Sequence, residues 1–174
     1  MQTELKSLIP TPSGPKLVTL FGYSTRSVPT LEIHGLGKSS KVIKEKILFM
    51  TKERKLKIPT HRFSLCIDHH HIDDRDFLAN SKWLEFPLIV LYWYLIGHLS
   101  ISHLNDCITS GQLFTSGRVI QPFCTMIKKH DSFFTDPFLS KFKVITSELL
   151  SIKSKQIIVH DLLSHIPNLK ISNA

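Results

Sequence analysis

The stretch WLEFPLIVLYWYLIG, from Trp83 to Gly97, is densely apolar between Phe86 and Ile96. An apolar run of that length suits a helix buried in a protein core. The window without Asp, Glu, Lys or Arg is longer, from Phe86 to Leu104, and approaches the length of a membrane span. Its second half is interrupted by polar residues, namely His98, Ser100, Ser102 and His103. We therefore predict a core helix from about Leu84 to Leu99 and expect no membrane partner.

Strands and a second helix are predicted before the core helix. Alternating and β-branched residues predict strands at Leu17–Ser24, Pro29–His34 and His61–Ile67. Between the last two, Ser39 or Ser40 is predicted to cap a helix that runs to about Lys55. The apolar face of that helix is predicted to hold Val42, Ile43, Ile47 and Met50.

Residues after the core helix predict further short elements. Cys107–Phe114 and Gly117–Ile120 are predicted to form a hairpin, and Asp68–Lys82, which is polar, a loop. The remaining predicted elements are helices at Phe123–Lys129 and Asp161–Ile166 and strands at Lys143–Ile145 and Gln156–Val159. This order predicts an α/β (α+β) fold, with a mixed sheet and helices packed on one face. We expect one domain over residues 17–174, preceded by an N-terminal extension over residues 1–16.

Composition limits the cellular setting and the partners. The chain has 174 residues, of which 42% are hydrophobic and 21% charged, and a formal net charge of +8. That charge favours anionic partners, either nucleic acid or an acidic protein surface. Three widely spaced cysteines without a CxxC pair fit a reducing compartment. Because the N-terminus also lacks the apolar segment of a signal peptide, we predict a cytoplasmic protein.

The charge excess is concentrated between Lys38 and Lys57, where eight Lys or Arg residues face only Glu45 and Glu53. Clustered cations of this kind bind phosphates, and such contacts weaken steeply with salt. The alternative is a solvated helix face opposite an apolar stripe. The candidate nucleic-acid contacts are Lys38, Lys41, Lys44, Lys52, Arg54, Lys55 and the neighbouring Arg62.

A second cluster combines three consecutive histidines, 69 to 71, with nearby aspartates. Imidazole and carboxylate together suit Zn, Ni or Mn. Adjacent histidines on a strand alternate faces, so a solvated loop is the alternative. The candidate metal ligands are His69, His71, Asp73 and Asp74. We predict no bound cofactor.

The stretch GLGKSS, from Gly35 to Ser40, resembles the end of a phosphate-binding loop. The full pattern requires a glycine at position 32, where this chain has Glu32. A carboxylate there would repel phosphate. We therefore predict a strand-to-helix turn.

Four segments in a fixed order resemble the N-terminal domain of ComM-type, magnesium-chelatase-like AAA+ proteins. They are Leu31–Ile47, Lys57–Ile67, Trp83–Gly97 and Ser110–Pro122. The positions that match the family are Gly35-Leu36, Pro59 with Arg62, Leu84-Glu85-Phe86-Pro87, and Gly111, Leu113, Gly117 and Val119 of the hairpin. The resemblance implies a Lon-peptidase-like, ribosomal-protein-type βαβ fold. It also implies a role in DNA recombination during natural transformation.

Departures from the family concern catalysis. Lon-type peptidases use a serine at the start of the core helix and a lysine after the hairpin. Glu85 occupies the place of that serine, Ser81 has the bulky neighbours Lys82 and Trp83, and neither Lys128 nor Lys129 matches the lysine. We expect no AAA+ ATPase module in this chain and predict no catalytic residues.

The sequence therefore predicts a non-catalytic accessory domain that binds DNA or a partner AAA+ motor, or self-associates, through its basic helix. Two alternatives stay open. One is a diverged Ser/Lys or metal-dependent hydrolase, and the other is a truncated gene remnant without retained activity.

Overall fold

The computed structural model describes residues 1–70, 72–123, 126, 141–146, 156–158 and 172–173. Within them the chain has a mixed α/β architecture with one large sheet. The strands are β1 Gln2–Thr11, β2 Gly14–Arg26, β3 Thr30–His34, β4 His61–Asp68, β5 Cys107–Thr109, β6 Gln112–Leu113, β7 Val119–Ile120, β8 Lys143–Thr146, β9 Gln156–Ile158 and β10 Ser172–Asn173. The helices are α1 Ser39–Glu53, α2 Asp74–Asn80 and α3 Glu85–Leu95, with short 3-10 turns at Ser81–Leu84 and Leu104–Asp106.

The large sheet has the strand order β10-β9-β8-β5-β1-β2-β4-β3. Strands β1, β2 and β4 pair antiparallel, whereas β3 runs parallel to β4. On the other side, β5 runs parallel to β1, and β8 and β9 continue the parallel pairing. The sheet is therefore mixed, as the sequence predicts. Strands β6 and β7 form the separate predicted hairpin.

Strand β1 corrects the prediction that residues 1–16 form an extension outside the domain. It pairs with β2 along its whole length, from Gln2 opposite Tyr23 to Thr11 opposite Gly14. Its side chains Leu5 and Ile9 are fully buried in the main core. The N-terminal segment is thus a central strand of the sheet.

Helix α3 confirms the prediction of a buried core helix. Ten of its eleven residues are buried, and its end at Leu95 is followed by Gly97 with φ +81°. Tyr92 packs edge-on against Phe63 of β4, with ring centroids 5.3 Å apart. The indole Nε1 of Trp93 donates a hydrogen bond to Thr51 Oγ1 at 3.0 Å, which joins α3 to α1. None of the helices in the described part of the chain is long and apolar enough to cross a membrane.

Helix α1 begins where predicted but differs in its cap and its buried face. The N-cap residue is Lys38, and no side chain caps the helix, so the prediction of a serine cap is wrong. Its buried residues are Ile43, Ile47, Met50 and Thr51. Val42 is 65% exposed, because the helical rotation of about 100° per residue turns it out of the row that contains Ile43.

The segment Asp68–Lys82, predicted as a loop, contains helix α2. Asp73 caps it by accepting hydrogen bonds from the N–H groups of Arg75 and Asp76. Phe77 of α2 is buried in the core. The predicted strand Cys107–Phe114 is also divided, because β5 belongs to the large sheet and β6 to the hairpin.

The large sheet has two unlike faces. Helices α1 and α3 cover the face formed by alternate residues such as Leu20, Phe63 and Leu65, which we call the inner face. On the opposite, outer face a smaller cluster packs on β1, β5 and β8, with members Leu8, Ile108, Phe123, Met126 and Val144. The rest of the predicted helix Phe123–Lys129, and all of the predicted helix Asp161–Ile166, lie outside the described residues.

Candidate nucleic-acid interface

The solvent side of α1 presents lysines on one line. Lys41 and Lys52 are exposed and eleven residues apart. At 3.6 residues per turn they lie about 20° apart around the axis and about 16 Å apart along it. Lys38 is exposed just before the helix, and Lys44 is half-buried within it. We call Lys38, Lys41, Lys44, Lys52 and Lys55 the α1 basic surface.

Lys55 extends this surface past the end of the helix. It takes a left-handed backbone conformation, with φ +53°, and its N–H donates to Lys52 O at 2.8 Å. A cation at a helix C-terminus is also favoured by the helix dipole. Its exposed side chain remains available to an anionic partner.

Two cations of the predicted basic segment are used inside the protein. The Arg54 guanidinium lies 5.8 Å from the centroid of the Trp93 ring, and burial lowers its pKa. Lys46 Nζ donates to Glu85 Oε1 at 2.6 Å and to Leu113 O at 2.9 Å. Arg54, a predicted nucleic-acid contact, is therefore partly buried against α3, and its role as a contact stays a prediction.

Arg62, also a predicted contact, lies on the sheet and outside the α1 basic surface. Its Nη2 donates to Glu32 Oε2 at 2.7 Å, and this hydrogen bond lowers the pKa of Glu32 and raises that of Arg62. His34 Nε2 lies 3.6 Å from the same carboxylate oxygen. Arg62 is on the outer face, since it alternates with the inward-facing Phe63.

Two apolar side chains lie among the lysines of α1. Val42 is 65% exposed and Phe49 48% exposed, and both project to the solvent side of the helix. Sequence reasoning assigned Val42 to the core and did not single out Phe49. Their seven-residue spacing, which is two helical turns, is the signal that could have placed them together.

Glu85 is held at the start of α3 by two contacts. Besides accepting from Lys46, it accepts from the N–H of Leu113 at 2.9 Å through its other oxygen, Oε2. The pair therefore ties α1, α3 and the β6–β7 hairpin together. Ser81, the other residue weighed for catalysis, is buried and donates from Oγ to Leu78 O at 2.9 Å. Lys128 and Lys129 lie outside the described residues.

The candidate metal ligands have other contacts. Asp73 caps α2, while the His69 ring stacks on Phe77 with centroids 3.8 Å apart. His69 Nδ1 lies 4.0 Å from Asp74 Oδ1. His71 is outside the described residues, and the rest of the described chain holds no group of three His, Cys, Asp or Glu side chains that could bind a metal ion.

Two concave regions were not foreseen from the sequence. One, of about 450 Å³, has four prolines in its lining together with Trp83, over whose ring Lys82 Nζ lies at 5.2 Å. The other, of about 750 Å³, lies beside β1 and β2 and includes Phe21, Tyr23 and His103. Both combine residues that are distant in sequence, which a linear pattern does not reveal.

Neither a scan against protein-family models nor a search of curated proteins finds a match to this chain.

Proposed function

We propose that this protein is a non-catalytic accessory domain that binds DNA through the α1 basic surface. The observation that carries the proposal is the row of lysines along α1, of which Lys38, Lys41, Lys52 and Lys55 are exposed and Lys44 is half-buried. We further propose a cytoplasmic location and a Lon-peptidase-like fold, related to the N-terminal domain of ComM-type proteins. The ordered segments and the mixed sheet support that relation.

The spacing of the lysines suits a phosphate backbone. Lys41 and Lys52 span about 16 Å along the helix, a length over which one DNA strand presents roughly five phosphates. Lysine side chains reach phosphates as mobile point charges. Because the side chains of Arg54 and Lys46 make contacts inside the protein, we assign the phosphate contacts to the five lysines of the α1 basic surface.

The arrangement around Glu85 supports a role without catalysis. A carboxylate that already accepts from Lys46 and from the Leu113 N–H is committed to structure. Ser81 Oγ is likewise engaged with a backbone carbonyl. These contacts favour the accessory-domain proposal over the Ser/Lys hydrolase alternative.

A protein partner is the second candidate, and the exposure of Val42 and Phe49 favours it. The two side chains add apolar area to the basic face of α1, which an acidic, partly apolar partner would complement. An AAA+ motor or a second copy of this chain would fit. Binding of DNA and of such a partner would then compete for the same face of α1.

The test neutralises Lys41, Lys44 and Lys52 together to Gln and measures duplex DNA binding by fluorescence anisotropy at low salt. Loss of three phosphate contacts should weaken binding at least ~10-fold and reduce the slope of log affinity against log salt by about 3. The matched control changes Lys16, Lys82 and Lys141 to Gln, which removes the same charge away from α1. Equal losses in both variants, or no binding by the unmodified protein, would contradict the proposal.

A further inference from the structure

The outer face of the sheet carries two exposed aromatic rings. Phe21 and Tyr23 of β2 are 41% and 43% exposed. Between them Gly22 faces the core, where an added Cβ would lie 2.9 Å from side-chain carbons of both Leu65 and Leu95. The close packing under Gly22 keeps this part of β2 against the core and both rings on the solvent side.

The spacing of the rings fits successive bases of an extended strand. Residues i and i+2 of a β-strand are about 6.7 Å apart. That is roughly twice the 3.4 Å rise per base of a stacked strand, so an extended, unpaired strand can set one base on each ring. Stacking of this kind is tolerant of sequence because every base has a flat aromatic face.

Polar residues line the concave region that contains the two rings. The concave region of about 750 Å³ that includes Phe21 and Tyr23 is also lined by Gln2, His103 and Asn105. Amide and imidazole groups match the donor and acceptor edges of bases. His103 has φ +57°, a left-handed conformation that non-glycine residues adopt at a cost and that clusters at functional sites.

The outer face carries carboxylates as well as cations: Asp68 is exposed on it, and two further carboxylates are paired with cations. Glu4 Oε1 lies 3.3 Å from Lys6 Nζ, so its charge is compensated. Glu32 is compensated by Arg62 at 2.7 Å. Arg62, which is paired with Glu32, lies on the same face as Tyr23 and next to it in the β2–β4 register. The net charge of +8 adds long-range attraction.

We infer that the outer face binds single-stranded DNA by stacking two unpaired bases on Phe21 and Tyr23, with base edges contacted by Gln2, His103 and Asn105. The choice of DNA as the nucleic acid rests on the proposed function. The site itself is separate, because α1 covers the inner face and these rings lie on the outer one. A single strand and a duplex would therefore contact opposite sides of the protein.

The test compares a labelled oligothymidine with a duplex, each titrated against the unmodified protein and Phe21→Leu/Tyr23→Leu. Leucine keeps apolar bulk but removes the rings. Binding of oligothymidine should weaken at least ~10-fold, since alanine substitution under a stacked base costs about 5-fold to 150-fold. Duplex affinity should not change. The matched control is Phe49→Leu, which removes an exposed ring from α1 and should leave oligothymidine binding intact.

A second variant separates loss of stacking from loss of folding. Exchanging the two rings, Phe21→Tyr with Tyr23→Phe, keeps both stacking surfaces and should retain oligothymidine affinity within about 3-fold. Unchanged affinity in the leucine variant would overturn the inference, as would an equal loss in Phe49→Leu. An oligouridine bound ~10-fold more tightly than oligothymidine would also overturn it, by assigning the site to RNA.

The failure of this inference is distinguishable from that of the proposed function. Neutralising Lys41, Lys44 and Lys52 should affect the duplex, whereas removing the rings of Phe21 and Tyr23 should affect the single strand. Ring-dependent oligothymidine binding without any duplex binding would support the outer-face site and reject the α1 basic surface as a DNA contact. The reverse pattern would reject the outer-face site alone.

Discussion

The two faces of one strand in this protein meet opposite environments. On β2, Leu20 is fully buried under α3, while its neighbour Phe21 is 41% exposed. The same contrast holds for Gly22 and Tyr23. Since side chains alternate along a strand, a single segment supplies both the core of the fold and a candidate binding surface. Stability should therefore depend on one face and ligand binding on the other.

The same contrast distinguishes two ion pairs. Lys46–Glu85 lies between elements of the covered side, with only 18% and 10% of the two side chains exposed. Arg62–Glu32 lies on the open face, where 51% and 35% are exposed. An exposed pair is screened by water and salt, while a buried pair leaves an uncompensated charge when one partner is removed.

The largest expected effect is on the covered face. Trp93→Ala should lower the free energy of unfolding by about 3–5 kcal/mol, because it opens a cavity between α3 and α1. It also removes the donor to Thr51 Oγ1 and the ring under Arg54. Urea denaturation followed by circular dichroism would measure the change. The control on the other face is Phe21→Ala, which should cost less than about 1 kcal/mol. Similar losses in the two variants would break the comparison.

The buried ion pair gives the next effect. Glu85→Ala should destabilise the protein by about 3 kcal/mol, since Lys46 would stay in place without its carboxylate partner. The double variant Glu85→Leu/Lys46→Met should recover much of the loss, which urea denaturation can measure. Glu32→Ala removes the exposed carboxylate and should leave the unfolding midpoint unchanged. A loss for Glu32→Ala as large as that for Glu85→Ala would contradict the assignment of the two environments.

Two cysteines, one on each face of the sheet, are expected to affect the pH dependence of stability differently. Cys107 is in the main core, and burial raises its pKa from 9.0 to about 11. Because the folded state disfavours the thiolate, the contribution of the neutral thiol to the free energy of unfolding is fully present below pH 9. It is lost as the pH rises towards 11. The loss amounts to about 2–3 kcal/mol. Urea denaturation between pH 8 and pH 11 should show this decline, and Cys107→Ala should flatten it.

Cys66 provides the matched control, because it lies on the outer face opposite Phe21 and is only half-buried. Burial raises its pKa as well, and no large shift results. Cys66→Ala should therefore keep most of the decline with pH. A decline that is equally steep in Cys107→Ala would show that the thiol of Cys107 does not cause it.

Much of the fold could be predicted because local patterns were strong. The apolar run of α3 and the alternation of β4 were sufficient to identify both elements. Strand β1 was missed because it contains Lys6, Ser7 and Pro10, and its strand character depends on pairing with β2 and β5. Helix α2 was missed because Phe77 is its one buried residue, so no periodic pattern revealed it.

The candidate site was predictable only in its charges. The lysines of α1 can be identified from the sequence. That Lys46 and Arg54 make contacts inside the protein depends on partners that are far along the chain, Glu85 and Trp93. Likewise, the exposure of Phe21 and Tyr23 reflects which face α3 covers. A sequence pattern shows that residues alternate, and tertiary packing decides which set faces water.

The β1–β2 pairing also has a consequence for the order of folding. Ten consecutive residue pairs join two strands that are separated only by Pro12 and Ser13. Hairpins form within about 1–10 μs, far faster than pairings that must first close long loops. During synthesis this hairpin leaves the ribosome before β5 and β8, which follow α3 along the chain. The N-terminal segment can therefore act as the template on which the later strands assemble, and slow synthesis after residue 26 would favour correct pairing.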